Sequence, residues 1–448
     1  MSRGLGDVYK RQGWDGRLIE VRTAGTPYQS LEPGERAYPV DAVFESIEGL
    51  ISGLARSHPD EAVDTLVFSC LGTAMAPCDR EGRPLGPALA PSDLRPQSPP
   101  WRVDTVGLAP DGLRRRTGSD PAVASFLLHA LWWRETQPAV MDELHRFRSL
   151  RGYALAQLCG ADAEDVTWGS RTMLVDLETN DWSEELLAAA GLSAEVLPPL
   201  LPPTATFAVL PEMATRLGLA SGARIVLGAM DNCCALRGAA GADRSGLVNI
   251  VGTYEHMAGV ASLGAARQVA AESDAVIHAY LSPGRYIAMT RVPLGELLAR
   301  AAAGAPRTLD DLLDDLSVQP SGRSLALEPE AVDAALAAGQ PHREVLQALV
   351  ESAIAVIGCF ADAWAAQGMD AEPIAAVGGG GRHPAVLQLK ANLLRRSLIG
   401  LEHDESAGLG ALRIAAMAVA GANVAEACRL FGNPVIATVR PMTAVGST

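Results

Sequence analysis

Residues Ile374-Ala375-Ala376-Val377-Gly378-Gly379-Gly380-Gly381-Arg382-His383-Pro384 decide the fold. The apolar run at 374–377 predicts a short buried strand. Four glycines follow it. Pro384 then suits a first helical turn, and Val386, Leu389 and Leu393 recur at helical spacing. A strand, a turn without side chains and a helix N-terminus let backbone N–H groups approach an anion or a flat base. That is a nucleotide site in outline. A glycine-rich turn also serves plain close packing, and on these residues alone both readings stay open.

Bulk properties frame the reading. At 448 residues the chain is long enough for two domains with substantial cores. It is 48% hydrophobic and 20% charged, and no apolar run reads as long enough to span a bilayer. A net charge of -15 argues against a general nucleic-acid binder and suits a soluble enzyme. The seven cysteines show no C-x-x-C pair, so neither a zinc site nor a disulfide framework is indicated. The front lacks the apolar segment of a signal peptide, which makes a reducing cytoplasm the expected compartment.

Residues 1–12 do not belong with the rest. Asp15-Gly16 is a hairpin turn signal and residues 18–22 read as the strand leaving it. The entering strand is missing from the pattern, because residues 4–12 lack alternation. This string resembles translated sequencing-adapter read-through. Native sequence is therefore expected from about Gly13, without a first strand.

Beyond that the organisation is α/β. Val43, Ile47, Leu50, Ile51 and Leu54 form one face of a helix that Asp41 is placed to cap. Residues 65–69 read as a strand and residues 79–82 as a turn. Proline-rich residues 94–121, with Arg114-Arg115-Arg116, read as a surface excursion. Helices are expected over 122–159, an extended stretch over 197–203, and strands over 224–227 and 247–251.

Three constellations carry chemistry. Val226-Leu227-Gly228-Ala229-Met230-Asp231-Asn232 is a strand end delivering a carboxylate, suited to a general base or, more plainly, to a helix N-cap. Asn249-Ile250-Val251-Gly252-Thr253-Tyr254-Glu255 is a strand entering a Gly-Thr turn that can hold phosphate or simply close a hairpin. The glycine run is followed by Glu405-Ser406-Ala407-Gly408-Leu409-Gly410-Ala411, a helix start whose small residues permit close approach to a ligand or another helix. Cys233-Cys234 reads as packing, and His256 as structural.

In this order and spacing the chain resembles the FGGY carbohydrate kinases, from Gly13 to about Gly421. Asp79 to Leu85 with Ser92-Asp93-Leu94-Arg95, the Trp132 to Pro138 helix, Ser170-Arg171-Thr172-Met173-Leu174-Val175-Asp176, Gln388 to Asn392 and Glu405 to Ala411 carry the resemblance. It implies an α/β, two-domain actin-like (ribonuclease-H-like) ATPase fold. The implied domains are 13–243, binding sugar, and 244–448, binding nucleotide. The implied reaction moves the γ-phosphoryl group of ATP to a hydroxyl of a ketose-type sugar, a pentulose or deoxyhexulose. Asp231 falls where the family places its base. Gly252 and Thr253 match a phosphate-binding turn. Gly378, Gly379, Gly380 and Asn392 would lie against adenosine and its α-phosphate, with Mg²⁺ bridging the phosphates. No protein ligands for the metal are assigned. Thr73, Asp231 and Asn232 would face the sugar. The expected partners are sugar and ATP, with a homodimer compatible and neither nucleic acid nor membrane expected.

The departures are specific. The family's opening Asp-x-Gly-Thr-[Thr/Ser] phosphate loop has no counterpart, and it should have preceded Trp14. Leu71-Gly72-Thr73 matches neither the xylulokinase nor the glycerol kinase sugar contacts. Tyr254-Glu255 resembles the deoxyhexulose kinases. The stretch 292–344 is short, and the last helix of the family is expected to be missing after Pro434. A polyol (glycerol-type) kinase and a catalytically inactive sugar- or nucleotide-binding protein are the alternatives.

Overall fold

The computed structural model describes residues 6–32, 34–97, 109–119, 125–241, 246–403 and 406–442. It divides into two units. The first comprises Met1–Cys234, His278–Pro283 and Ala411–Phe431; the second comprises Ala235–Ile277, Gly284–Gly410 and Gly432–Thr448.

The first unit opens on a hairpin of β1 (Gly6–Gln12) and β2 (Leu18–Gly25), paired antiparallel around a turn in which Gly16 has φ 85°. The entering strand that alternation failed to predict is therefore present. Its anchor is polar: buried Arg11 donates to the carbonyls of Leu54 (2.6 Å), Ala55 (3.2 Å), His58 (3.1 Å) and Glu61. These cap the last turn of α1 (Val40–Arg56) and the loop after it. Asp41 is not the cap of α1. Pro39 occupies that position, and Asp41 Oδ1 accepts from the Tyr153 hydroxyl instead.

Strand β3 (Thr65–Cys70) continues the unit. The excursion expected over 94–121 contains a helix, α2 (Pro110–Thr117), while 98–108 and 120–124 lie outside the described residues. Pro110 opens α2 and left-handed Gly118 (φ 69°) closes it, the end signals that the arginine run obscured. Arg116 is no loose cation, since it pairs with Asp176 (2.9 Å) and Glu185. Then come α3 (Phe126–Thr136), α4 (Leu150–Cys159) and the short α5 (Val166–Gly169). Strand β4 (Thr206–Ala208) precedes β5 (Arg224–Met230), which is buried from Ile225 onward. The sheet order is β4-β5-β3, with β5 parallel to β3. Two apolar clusters support it. One joins Val43, Ile47 and Ile51 to Leu155, Leu158 and Leu227; the other gathers Phe126, Trp133, Phe147, Trp168 and Leu174. Helix α6 (Asp231–Ala239) starts where β5 ends.

The second unit holds most of a seven-stranded sheet. In chain order its strands are β6 (Val248–Val251), β7 (Glu255–Ala261), β8 (Val276–Ala279), β9 (Tyr286–Met289), β10 (Ile374–Val377), β11 (Leu398–Leu401) and β12 (Val435–Val439). Their spatial order is β8-β9-β7-β6-β10-β11-β12, and β6, β10 and β11 run parallel to their neighbours in that group. Helices α7 (Leu263–Ser273), α8 (Leu294–Ala302), α9 (His342–Ala366) and α10 (Pro384–Leu394) connect and cover the strands, and α11 (Ser406–Val419) follows β11 in the chain. Against the sequence expectation, α9 is long and apolar enough to cross a membrane by length and composition. It is a core helix: 67% of its apolar window is buried, with Phe360, Ile357 and Leu349 wholly enclosed.

Candidate active site

Parallel strands that end side by side present their following loops to the same edge, where α/β proteins place ligands. In the first unit β3 and β5 do this, with Ser69 opposite Ala229 and Cys70 opposite Met230. The loop after β3 is Leu71-Gly72-Thr73; β5 runs straight into Asp231-Asn232. Thr73, Asp231 and Asn232 therefore belong to one edge. Thr73 is buried and left-handed (φ 71°), a conformation a β-branched residue adopts only under constraint.

The edge is held from below by charge. Arg151 pairs with Glu164 and, at 2.6 Å, with Asp165, and all three side chains are excluded from water. Asp165 accepts from Thr167, whose hydroxyl in turn accepts the Met230 amide over 3.0 Å. Trp168 Nε1 donates to Leu71 O over 3.0 Å, which fixes the loop after β3. Burial pushes the Glu164 carboxyl up, and Arg151 opposes that push.

Burial likewise raises the pKa of Asp231, while the Asn232 amide (2.7 Å to Oδ1) and the charge of Arg171 pull it back. Arg171 lies beside Gly72 and donates to His278 Nε2 over 2.6 Å. A carboxylate here can take a proton from a hydroxyl, with a guanidinium at hand to offset charge. Cys233 and Cys234 are fully enclosed. Burial pushes both thiols up, Cys234 to about 12, as fits packing residues.

The second unit repeats the edge geometry. Parallel β6 and β10 end together, so the turn Gly252-Thr253-Tyr254 and the glycine run are neighbours. A side chain on Gly378 or Gly380 would collide with Val251, and Gly378 also has φ 86°. Their glycines serve close packing. Gly379 and Gly252 are different: a Cβ at Gly379 would meet no atom within 4 Å, and at Gly252 only Tyr254 O at 3.9 Å. At both positions the protein itself leaves room for another group to approach the backbone. Thr253 is exposed, and its carbonyl accepts from Gly295 at 3.0 Å in the first turn of α8.

Beneath this turn sits a second buried charge cluster. Lys390 Nζ lies 2.6 Å from Glu255 Oε1 and 2.8 Å from Asn249 Oδ1, and all three residues are fully buried. It ties α10, which follows the glycine run, to both strands of the hairpin. Asn392 is used structurally. It donates to Val318 O (2.8 Å) and accepts from Gln388 (3.0 Å) and Met442 N (2.8 Å), about 12 Å along α10 from Pro384. The small residues opening α11 serve helix packing, because a side chain on Gly238 would collide with Ser406 O; Glu405 lies outside the described residues. His256 donates from Nδ1 to Thr290 O over 2.6 Å. Arg171, His278 and the Lys390 cluster were not singled out as site residues by sequence, although Arg171 lies in the 170–176 motif, Lys390 in the 388–392 motif, and Asn249 and Glu255 in the 249–255 constellation.

Residues 12–238 match the N-terminal domain of the FGGY family of carbohydrate kinases, and residues 256–419 match its C-terminal domain. The chain belongs to that family. FGGY kinases are sugar kinases. Xylulose kinase from Lactococcus lactis is 22% identical over 432 residues, covering 90% of this chain and 83% of that enzyme. The match to Bacillus subtilis gluconokinase, 22% over 218 residues, covers 48% of this chain but only 42% of the relative. Among solved structures, ligand-bound xylulose kinase from Lactobacillus acidophilus superposes with a TM-score of 0.83 at 17% identity, over 98% of this chain and 92% of that one. Plasmodium falciparum glycerol kinase, solved with ADP, gives 0.77 at 15% identity over 96% and 90%. The fold is accordingly the two-domain, actin-like α/β ATPase fold of the FGGY kinases.

Proposed function

We propose that the chain transfers the γ-phosphoryl group of ATP to a hydroxyl of a ketose-type sugar, a pentulose or deoxyhexulose, with Asp231 as general base. The observation that carries this is the Asp231 carboxyl, delivered by β5 to a strand edge and pushed up by burial beside Arg171. A base whose pKa lies closer to neutrality takes a proton more effectively. The hydroxyl proton passes to Asp231 as the oxygen–phosphorus bond forms, the bond to the β,γ-bridging oxygen breaks, and ADP leaves. Thr73 and Asn232 orient the sugar. Space above Gly252 and Gly379, with the Thr253 hydroxyl, takes the phosphates. Gly378 and Gly380 shape the turn, and Asn392 holds the helix behind it. Mg²⁺, when bound with ATP, neutralises phosphate charge. Among the relatives, xylulose kinase favours a ketose acceptor over glycerol. A cytoplasmic enzyme acting on free sugars follows from this reading.

ADP formation measured against ketopentoses, 6-deoxyketohexoses, gluconate and glycerol tests it. Turnover with a ketose supports the proposal. Turnover with glycerol alone makes the chain a polyol kinase, and nucleotide binding without turnover makes it a sensor.

A further inference from the structure

Next to the Gly252-Thr253 turn stands an arginine that the family assignment does not use. Arg291 is exposed, and among the described residues it forms no ion pair, on a chain of net charge -15. Its guanidinium lies over the Tyr254 ring, 4.4 Å from the centroid. His256 also lies against that ring, stacked at 6.2 Å with planes 21° apart. His256 is pinned in turn by its bond to Thr290 O.

The backbone around Arg291 is equally fixed. Thr290 N donates to Met257 O (3.0 Å), and Thr290 Oγ1 accepts from Met257 N (2.8 Å). Val292 and Glu255 exchange both backbone bonds, at 2.7 and 2.9 Å. Gly295 N then donates to Thr253 O. The segment 290–295 is thus laced along the turn on both sides of Arg291. An exposed arginine on an ordinary surface wanders among rotamers; this one is held by a ring and a fixed backbone. The planar fork stacks on the aromatic face and keeps its N–H groups for an anion.

We propose that Arg291 is a phosphate-contacting residue of the nucleotide site, its guanidinium held by Tyr254 to meet the phosphate chain at Gly252-Thr253. The inference rests on reading that turn as a phosphate site. It adds a cationic side chain where the turn itself offers only a hydroxyl and backbone. Removing a charge-assisted contact of this kind weakens binding about 10- to 100-fold.

Binding of Mg·ADP to the full chain, followed by calorimetry, tests this in three variants. Arg291→Ala is expected to lose 10- to 100-fold in affinity with an unchanged melting temperature, and Arg291→Lys to recover part of the loss. Thr253→Val probes the turn independently. If Thr253→Val weakens ADP while Arg291→Ala binds as the parent does, the turn stands and the role of Arg291 is overturned. If neither variant changes the affinity, or the parent binds no ADP, the phosphate reading of the turn falls and Arg291 falls with it.

Discussion

The amide of Met230 donates to the hydroxyl of Thr167 over 3.0 Å, so the residue before Asp231 hangs from the segment that leads into Ser170 to Asp176. Thr167 is itself bound to Asp165, and Asp165 to Arg151. The proposed base is positioned through a buried ionic chain. Such chains are fragile when one partner is removed, because an uncompensated charge stays behind. Arg151→Met should cost about 3–5 kcal/mol of stability in denaturant unfolding, whereas Arg83→Met, in a solvent-screened pair with Asp79, should leave the unfolding midpoint nearly unchanged.

The pH dependence follows from Asp231. Burial raises its pKa and Arg171 opposes the rise. The base works when ionised, so activity falls as pH drops through that pKa. Arg171→Gln removes a charge favouring the ionised form, so the acidic limb of kcat should move to higher pH. An unmoved limb would contradict the coupling.

The same shift has a stability consequence of opposite sign. A carboxyl with a raised folded-state pKa binds its proton more tightly when folded, so stability falls as pH rises from its ordinary pKa through the raised one. At pH 7 Asp231 therefore costs stability, and below about pH 3.8 the cost disappears. Asp231→Asn should melt higher than the parent at pH 7, with the difference shrinking in acid. An active-site charge commonly carries this penalty.

Two adjacent glycines separate packing from ligand approach. Gly378→Ala forces a side chain onto Val251 at φ 86° and should lower the melting temperature by several degrees. Gly379→Ala meets nothing in the protein, so its melting temperature should hold while ADP affinity drops about tenfold or more. Equal behaviour in both assays would contradict the distinction.

Much of this was legible in the chain. Strand, glycines and Pro384 at 374–384 signal locally, and β5 is apolar from Ile225 up to Asp231 but for Gly228. The elements that escaped are those held by polar or tertiary contacts. Strand β1 rests on Arg11 reaching the carbonyls after α1, which no alternation reveals. Helix α2 hid in a proline- and arginine-rich stretch, although Pro110 and Gly118 marked its ends. The pairing of Arg171 with His278 joins residues 107 positions apart and exists only in the folded chain.

Thiol chemistry offers a check on burial around the site. Burial pushes the Cys70, Cys233 and Cys234 thiols up, whereas Cys359 is exposed. A disulfide reagent should modify Cys359 first in the native chain, located by peptide mapping, and the enclosed Cys233 and Cys234 only on unfolding.

The most direct test is acceptor-dependent ADP formation by the parent and by Asp231→Asn, with Mg·ADP affinity measured on both. We predict turnover with a ketose in the parent, a loss of about 10²–10⁴-fold in kcat in the variant, and unchanged ADP affinity. Equal turnover in the two proteins, or no acceptor-dependent turnover in the parent, would contradict Asp231-assisted phosphoryl transfer.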